Sequence, residues 1–279
     1  MRIEENVSLA KYTTFRMGGM AKKLIVPETE EELVDVVRNR KLPRYLIGGG
    51  SNLLINDERE FDEVILLSEF GTAIVALGDG KFYSGASVRL QKLIKTINDA
   101  GYGGIEYLFS VPGLVGGAIV MNAGKGNSID EIGKYVLSVR AIVDGEICEI
   151  EKNSCNFSRR NSIFKNSDIV VLGATFQFIE GDPICFKEAR AKRIAHVKEV
   201  QDNSHPNFGT VFYKSDSKIM RMVSKLSRND SGVYYSKKTT NWLLNNNGTF
   251  EQAISEIDRV KRYHKLLRRQ CEPEVTVWR

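Results

Sequence analysis

The stretch Phe109-Ser110-Val111-Pro112-Gly113-Leu114-Val115-Gly116-Gly117-Ala118-Ile119-Val120-Met121-Asn122-Ala123-Gly124 decides how the rest of the chain is read. Four glycines, a proline and small residues leave little side-chain bulk over most of it. Backbone so bare adopts positive φ and comes within hydrogen-bonding distance of a ligand. Its amides then form an anion-binding concavity without help from a helix. Any single glycine is explained equally well by a tight packing contact. The run as a whole is not, because a mere connection does not need so many close approaches. The stretch reads as the floor of a cofactor site.

A second stretch points the same way. Leu46-Ile47-Gly48-Gly49-Gly50-Ser51-Asn52-Leu53-Leu54-Ile55 sets a glycine loop between two short apolar runs. It is not a P-loop, since no Gly-Lys-Ser/Thr follows, and the Rossmann fingerprint needs a helix straight after the glycines. Here Leu53–Ile55 and then Val64–Leu67 look like strands. A strand–glycine loop–strand that cradles phosphate argues for a dinucleotide held by loops of a mixed α+β domain.

Together with Tyr12-Thr13-Thr14-Phe15-Arg16-Met17-Gly18-Gly19, Gly104-Ile105-Glu106, Arg160-Asn161-Ser162-Ile163-Phe164-Lys165 and Glu272-Pro273-Glu274-Val275, these loops carry a resemblance. The chain resembles the UDP-N-acetylenolpyruvoylglucosamine reductases, flavoenzymes of peptidoglycan precursor synthesis. The motifs occur in the family's order over nearly the whole chain, closely up to about Phe178 and more loosely beyond it. The resemblance implies an α+β, FAD-binding fold of the vanillyl-alcohol oxidase/p-cresol methylhydroxylase type. Residues 1–68 and 69–180 would form its two FAD-binding subdomains, and 181–279 a smaller α/β substrate-binding domain. It also implies FAD and NADPH as redox partners, a UDP-sugar substrate and a cytoplasmic location. FAD is expected to be non-covalent, because neither glycine stretch offers the His or Cys that a covalent link uses.

Cofactor contacts are expected at Gly48, Gly49, Gly50, Ser51 and Asn52, and at Ser110, Pro112, Gly113, Gly116, Gly117, Ala118, Asn122 and Gly124. Thr14 and Arg16 would sit against the flavin. Arg160 matches the family's active-site arginine: its permanent, forked charge suits a carboxylate and a developing enolate. Glu274 matches the family's catalytic glutamate, and Thr210 stands where the family has the serine that protonates the enol carbon. A threonine hydroxyl does the same chemistry with a stiffer χ1 and an extra methyl to accommodate.

Departures from the family pattern gather in the last hundred residues. Tyr213-Lys214-Ser215 replaces Lys-Asn-Pro, Asp202 replaces a Pro, Thr239 replaces a His, and Ser227–Gly232 replaces a glycine-rich stretch; outside that region, Arg159 replaces an expected Tyr. Three function classes remain open: the family's own reaction, a flavin oxidoreductase of the same fold with another nucleotide-sugar or carboxylate substrate, and a flavin-binding protein without turnover.

The remaining signals bound the answer. With 279 residues, two or three units are expected. The formal net charge of +5 is spread rather than blocked, and no nucleic-acid motif accompanies it. No apolar run is long enough to span a bilayer, and the N-terminus has no secretory h-region. Cys148, Cys155, Cys185 and Cys271 lack metal-ligand spacing, as do the three histidines, so no metal is expected and the thiols should be reduced.

Locally, Thr29 with Glu32 and Thr249 with Gln252 read as capping boxes. Pro43 interrupts the chain before the first glycine loop. Ser87 should cap a helix bearing Leu90, Leu93, Ile94 and Ile97, and Asp144-Gly145 should turn a hairpin. Strands are expected over 169–172 and 174–178, a boundary at Gly181-Asp182-Pro183, and a charged helix from Lys187 to Val200. His264 should be a satisfied, partly buried imidazole.

Overall fold

Local signals set most elements of this chain, and tertiary contacts override them at a few places that matter for the site. The computed structural model describes residues 1–39, 45–125, 130–228 and 230–279, so Pro43 and Asn229 lie outside the described residues. The described residues form helices α1 (Glu30–Arg38), α2 (Leu90–Asp99), α3 (Val115–Val120), α4 (Pro183–Val200), α5 (Ser217–Leu226) and α6 (Phe250–Leu266).

Helix α6 starts with the full capping box: Thr249 Oγ1 accepts from the Gln252 amide at 3.3 Å, and Gln252 Oε1 accepts from the Thr249 amide at 3.1 Å. In α1 only half of the box closes. Thr29 Oγ1 accepts from the Glu32 amide at 3.2 Å, while the Glu32 carboxylate passes Thr29 and takes the Glu28 amide at 2.8 Å. Helix α2 buries its expected stripe, but Ser87 does not cap it. The Ser87 hydroxyl donates to Leu67 O at 2.7 Å, and the first amide of α2, that of Leu90, donates to Gly113 O at 3.2 Å. Helix α4 begins at Pro183, four residues before the expected start. Proline is pre-set for the first helical position, and Asp182 Oδ1 accepts from the Ile184 amide at 2.8 Å.

A five-stranded antiparallel sheet runs in the order Glu146–Glu151, Val136–Val143, Val170–Gln177, Lys81–Gly85, Ile74–Gly78. Asp144 and Gly145 both take positive φ, 50° and 83°, as the two-residue hairpin requires. The two strands expected over 169–178 are one strand whose register slips between Val171 and Gly173. A four-stranded sheet orders Arg2–Ser8, Met20–Val26, Glu60–Leu66 and Tyr45–Ile47, the last two running parallel.

The chain divides into two units. The first contains Met1–Ile3, Leu24–Gly49 and Glu63–Val197; the second contains Glu4–Lys23, Gly50–Asp62 and Lys198–Arg279. In the first unit, α2 and α3 pack Leu93, Ile94, Val115 and Ile119 against Val139, Ala174 and Phe176 of the five-stranded sheet. A separate core joins Leu33, Val34 and Val37 of α1 to Ile65, Ile142 and Leu172. The second unit closes around Phe15, Leu54, Phe212, Val223, Tyr235, Ile257 and Val260. His264 is buried there. Its Nε2 accepts from the Asp216 amide at 2.9 Å and its Nδ1–H donates to Val260 O at 2.9 Å, which makes it a packing residue. No described helix is long and apolar enough to cross a membrane.

The α6 cap gives a direct test of this reading. Thr249→Ala leaves the Gln252 amide without its acceptor and should cost about 1 kcal/mol. Urea unfolding should show a lower midpoint with an unchanged slope. An unchanged midpoint would mean that packing of Phe250 and Ala253 alone holds this helix start.

Candidate cofactor and active-site residues

In the first unit the glycine stretch is not the helix-free loop expected from its composition. Glycine and β-branched residues are poor helix formers, yet Val115–Val120 is helical because its start is fastened from outside. The Val115 amide donates to Val88 O at 2.9 Å and the Gly116 amide to Ala86 O at 2.8 Å. A Cβ on Gly116 would stand 2.9 Å from Ala86 Cβ, so only glycine permits this approach. These amides are therefore spent on the protein and are not available as an anion cradle.

The other glycines divide by what a side chain would meet. Gly113 sits at φ 141°, a conformation that L side chains rarely adopt. A Cβ on Gly49 would lie 3.0 Å from Gly113 Cα, and one on Gly124 would lie 2.7 Å from Asp130 O. These positions are glycine for the protein's own packing. Gly117 differs. It is exposed in α3, and a Cβ there would meet nothing within 4 Å. At Gly48 a Cβ would touch only Leu114 Cδ1, at 3.8 Å. Protein packing does not explain these two. Ala118 is buried, Pro112 is exposed, and the Ser110 hydroxyl accepts from Arg193 Nε at 2.8 Å. Close by in sequence, the Tyr107 hydroxyl is buried without a partner among the described residues. Burial pushes that phenol far above its usual range, so it remains an unspent donor.

The stretch ends in a strut. Asn122 is buried at φ 42° with its amide fully used. Its Oδ1 accepts from the Gly133 amide at 3.0 Å, and its Nδ2 donates to Glu131 Oε2 at 2.6 Å and to Ser158 O at 2.9 Å. Ser158 and Asn161 exchange two 3.0 Å backbone bonds across a tight turn whose second central residue is Arg160, at φ 55°. The Arg160 guanidinium lies along the end of the stretch, Nη2 donating to Gly124 O at 2.7 Å and Nη1 to Asn122 O at 3.4 Å. Lys165 Nζ donates to Arg160 O at 3.0 Å. Arg160, Asn122 and Gly124 are thus brought together, whereas Arg159 is exposed.

The second unit gathers the other candidates. Gly50, at φ 60°, accepts from the Thr14 amide at 3.1 Å, and any Cβ on it would collide with Tyr12 O. Thr14 Oγ1 is buried without a partner among the described residues, while Arg16 is exposed. Ser51 and Asn52 are half-buried. Asn52 Nδ2 donates to Glu274 O at 3.0 Å, and Asn52 O accepts from the Thr276 amide at 3.0 Å. The Glu274 amide in turn donates to Val211 O at 2.8 Å, so the Glu274 backbone is fixed beside Val211, between Thr210 and the strand Phe212–Lys214. Thr210 bridges to Trp242, and Asn241 clamps both sides of Phe212 through its side-chain amide.

The drifted positions are also accounted for. The Thr239 hydroxyl accepts from the Asp202 amide at 2.9 Å and donates to Val200 O at 3.0 Å, so two departures from the family pattern hold each other. Burial opposes ionisation of Asp202, but hydrogen bonds from Ser236 and Ser204 outweigh it and hold the carboxyl below its usual value. Lys214 pairs with Glu272 at 3.2 Å. Sequence reasoning missed Glu131 and Arg193. Each reaches its partner through tertiary contact, and neither lies in a recognisable motif.

Residues 21–151 match the family described as an FAD binding domain. With the mixed helices and strands, this match defines an FAD-binding protein with an α+β fold. The chain is 30% identical over 273 residues to UDP-N-acetylenolpyruvoylglucosamine reductase of Fusobacterium nucleatum, spanning 94% of each chain. It is 32% identical over 256 residues to the enzyme of that name from Carboxydothermus hydrogenoformans, spanning 88% of this chain and 82% of the other. The crystal structure of UDP-N-acetylenolpyruvylglucosamine reductase from Thermus caldophilus superposes with a TM-score of 0.82 at 27% identity over the full length of both. The chain belongs to the UDP-N-acetylenolpyruvoylglucosamine reductase family.

The division among the glycines is testable. Gly117→Val should keep the melting temperature of the apoprotein, since nothing within 4 Å opposes a side chain, while flavin content falls sharply. Gly116→Val should instead lower the melting temperature, by forcing α3 away from Ala86. Full flavin content in Gly117→Val would count against this placement of the cofactor.

Proposed function

We propose that this chain reduces the enolpyruvyl ether of UDP-N-acetylglucosamine to UDP-N-acetylmuramate with NADPH, in the cytoplasm. Residues 1–68 and 69–180 would serve the flavin and 181–279 the UDP-sugar. Bound FAD would supply the hydride transfer that links NADPH to the terminal carbon of the enolpyruvyl group. Gly48, Gly49, Gly50, Ser51 and Asn52, with the 110–124 stretch, would hold it, Gly117 giving the unobstructed face.

The chain's own residues then have three tasks. Arg160 binds the substrate carboxylate and stabilises negative charge developing towards it, which a permanently charged planar fork does well. Thr210 donates the proton to the carbon next to the carboxylate. Glu274 orients that end of the substrate and returns a proton to Thr210. The observation that supports this reading most is the backbone pairing of the Glu274 amide with Val211 O at 2.8 Å, which brings Glu274 beside the residue that follows Thr210. The Asn52 side chain donates to the Glu274 carbonyl, so this loop residue fixes the Glu274 backbone as well as lying in the glycine loop.

The two half-reactions separate these roles. Thr210→Val removes the hydroxyl at nearly constant size and should slow oxidation of reduced flavin by the enoyl substrate by roughly 10²–10⁴-fold. Reduction by NADPH should stay near the wild-type rate, and Thr210→Ser should keep or raise activity. Arg160→Lys keeps charge but loses the fork, and should likewise affect mainly the oxidative half-reaction. Stopped-flow flavin absorbance reads both steps. An active Thr210→Val enzyme would move the proton source to Glu274 or water, and equal loss in both steps would make the residue structural.

A further inference from the structure

Helix α4 begins beyond residue 151, where the match to the FAD binding domain ends, and nothing yet gives it a part in cofactor binding. Two of its arginines, one turn apart, face the start of the glycine stretch. Arg190 is well provided for. Its Nη1 donates to Asn98 Oδ1 at 2.6 Å, its Nη2 lies 4.0 Å from Asp99, and its guanidinium carbon stands 5.6 Å from the centre of the Phe109 ring. That arginine docks α4 against residues 98–109.

Arg193 is not provided for in this way. Nε donates to the Ser110 hydroxyl at 2.8 Å, and among the described residues its two Nη groups donate to no protein atom and it forms no ion pair. The side chain is half-buried, and desolvation depresses its basicity. A partly desolvated guanidinium without a counter-ion is costly. A bond from Nε to a neutral hydroxyl fixes the plane of the fork and leaves its two terminal nitrogens to act together. Such a fork matches a phosphate in bidentate geometry. It stands at the residue that opens the stretch containing Gly113, at φ 141°, and the unobstructed Gly117.

We infer that Arg193 is a diphosphate-binding residue for FAD, presented by α4 and oriented by Ser110. The inference rests on the assignment of residues 110–124 to the cofactor. Ser110 then has a double use, since its hydroxyl accepts from Arg193 and keeps its own proton for the ligand. Arg190 acts as a positioning residue that holds α4 in place through Phe109 and Asn98.

The test compares flavins with and without phosphate. Deflavinated wild type, Arg193→Gln, Arg193→Lys and Gly117→Val are titrated with FAD and with riboflavin, followed by flavin fluorescence. Arg193→Gln should weaken FAD roughly 10- to 100-fold, the range for losing charge-assisted hydrogen bonds. It should leave riboflavin affinity unchanged and make FAD binding less sensitive to salt. Arg193→Lys should fall between wild type and Arg193→Gln. Equal weakening of both flavins would make Arg193 structural, and no weakening of either would overturn the inference. Unchanged FAD affinity with a raised KM for NADPH would overturn it by assigning the fork to a different diphosphate. Gly117→Val tests the underlying loop separately. If it keeps both flavins, the cofactor assignment of 110–124 fails, whatever Arg193 does.

Discussion

The missing side chain at Gly116 lets a strand corner and a short helix approach until backbone meets backbone. The Gly116 amide reaches Ala86 O at 2.8 Å, where any Cβ would already press on the alanine methyl. That contact forces Val115–Val120 into a helix its composition disfavours. It also turns Gly113 so that its carbonyl receives the first amide of α2. Helices α2 and α3 are therefore locked through one corner, and the apolar core of the first unit forms around them. Gly117, the next residue, is left facing outward on a fixed support with open space above it.

Rigidity then passes to the far end of the stretch. Asn122 spends its whole amide on Gly133, Glu131 and Ser158, and Arg160 lies across Gly124 and Asn122 from the turn that Ser158 begins. Two backbone carbonyls thus hold the Arg160 guanidinium at the end of the stretch. In the second unit the Glu274 backbone is held from two sides, its carbonyl by the Asn52 side-chain amide and its amide by Val211 O.

Much of this was legible from residue order alone. The α2 stripe, the Asp144-Gly145 hairpin and the Thr249 cap follow from local physics and appear as expected. The glycine loops were legible as unusual backbone, but not which glycines serve packing and which leave open space. That distinction depends on what lies 3 Å from an absent Cβ, as Ala86 does for Gly116 and nothing does for Gly117. Ser87 misled because its hydroxyl found Leu67 O before the end of α2. Arg193 and Glu131 were invisible because their partners, Ser110 and Asn122, are chosen by the fold. The departures at Asp202 and Thr239 read in sequence as substrate drift. In the structure they are one hydrogen-bonded pair, which gives them a packing reason to differ together.

Function turns on whether the second unit, with these departures, still directs the flavin's electrons to an enolpyruvyl sugar. The decisive measurement is NADPH oxidation by the purified holoenzyme with and without UDP-N-acetylglucosamine enolpyruvate, with the product weighed by mass spectrometry. The predicted result is turnover that requires the enoyl substrate and yields a sugar nucleotide two hydrogens heavier. NADPH oxidation at the same rate without that substrate, and no reduced sugar nucleotide, would contradict it.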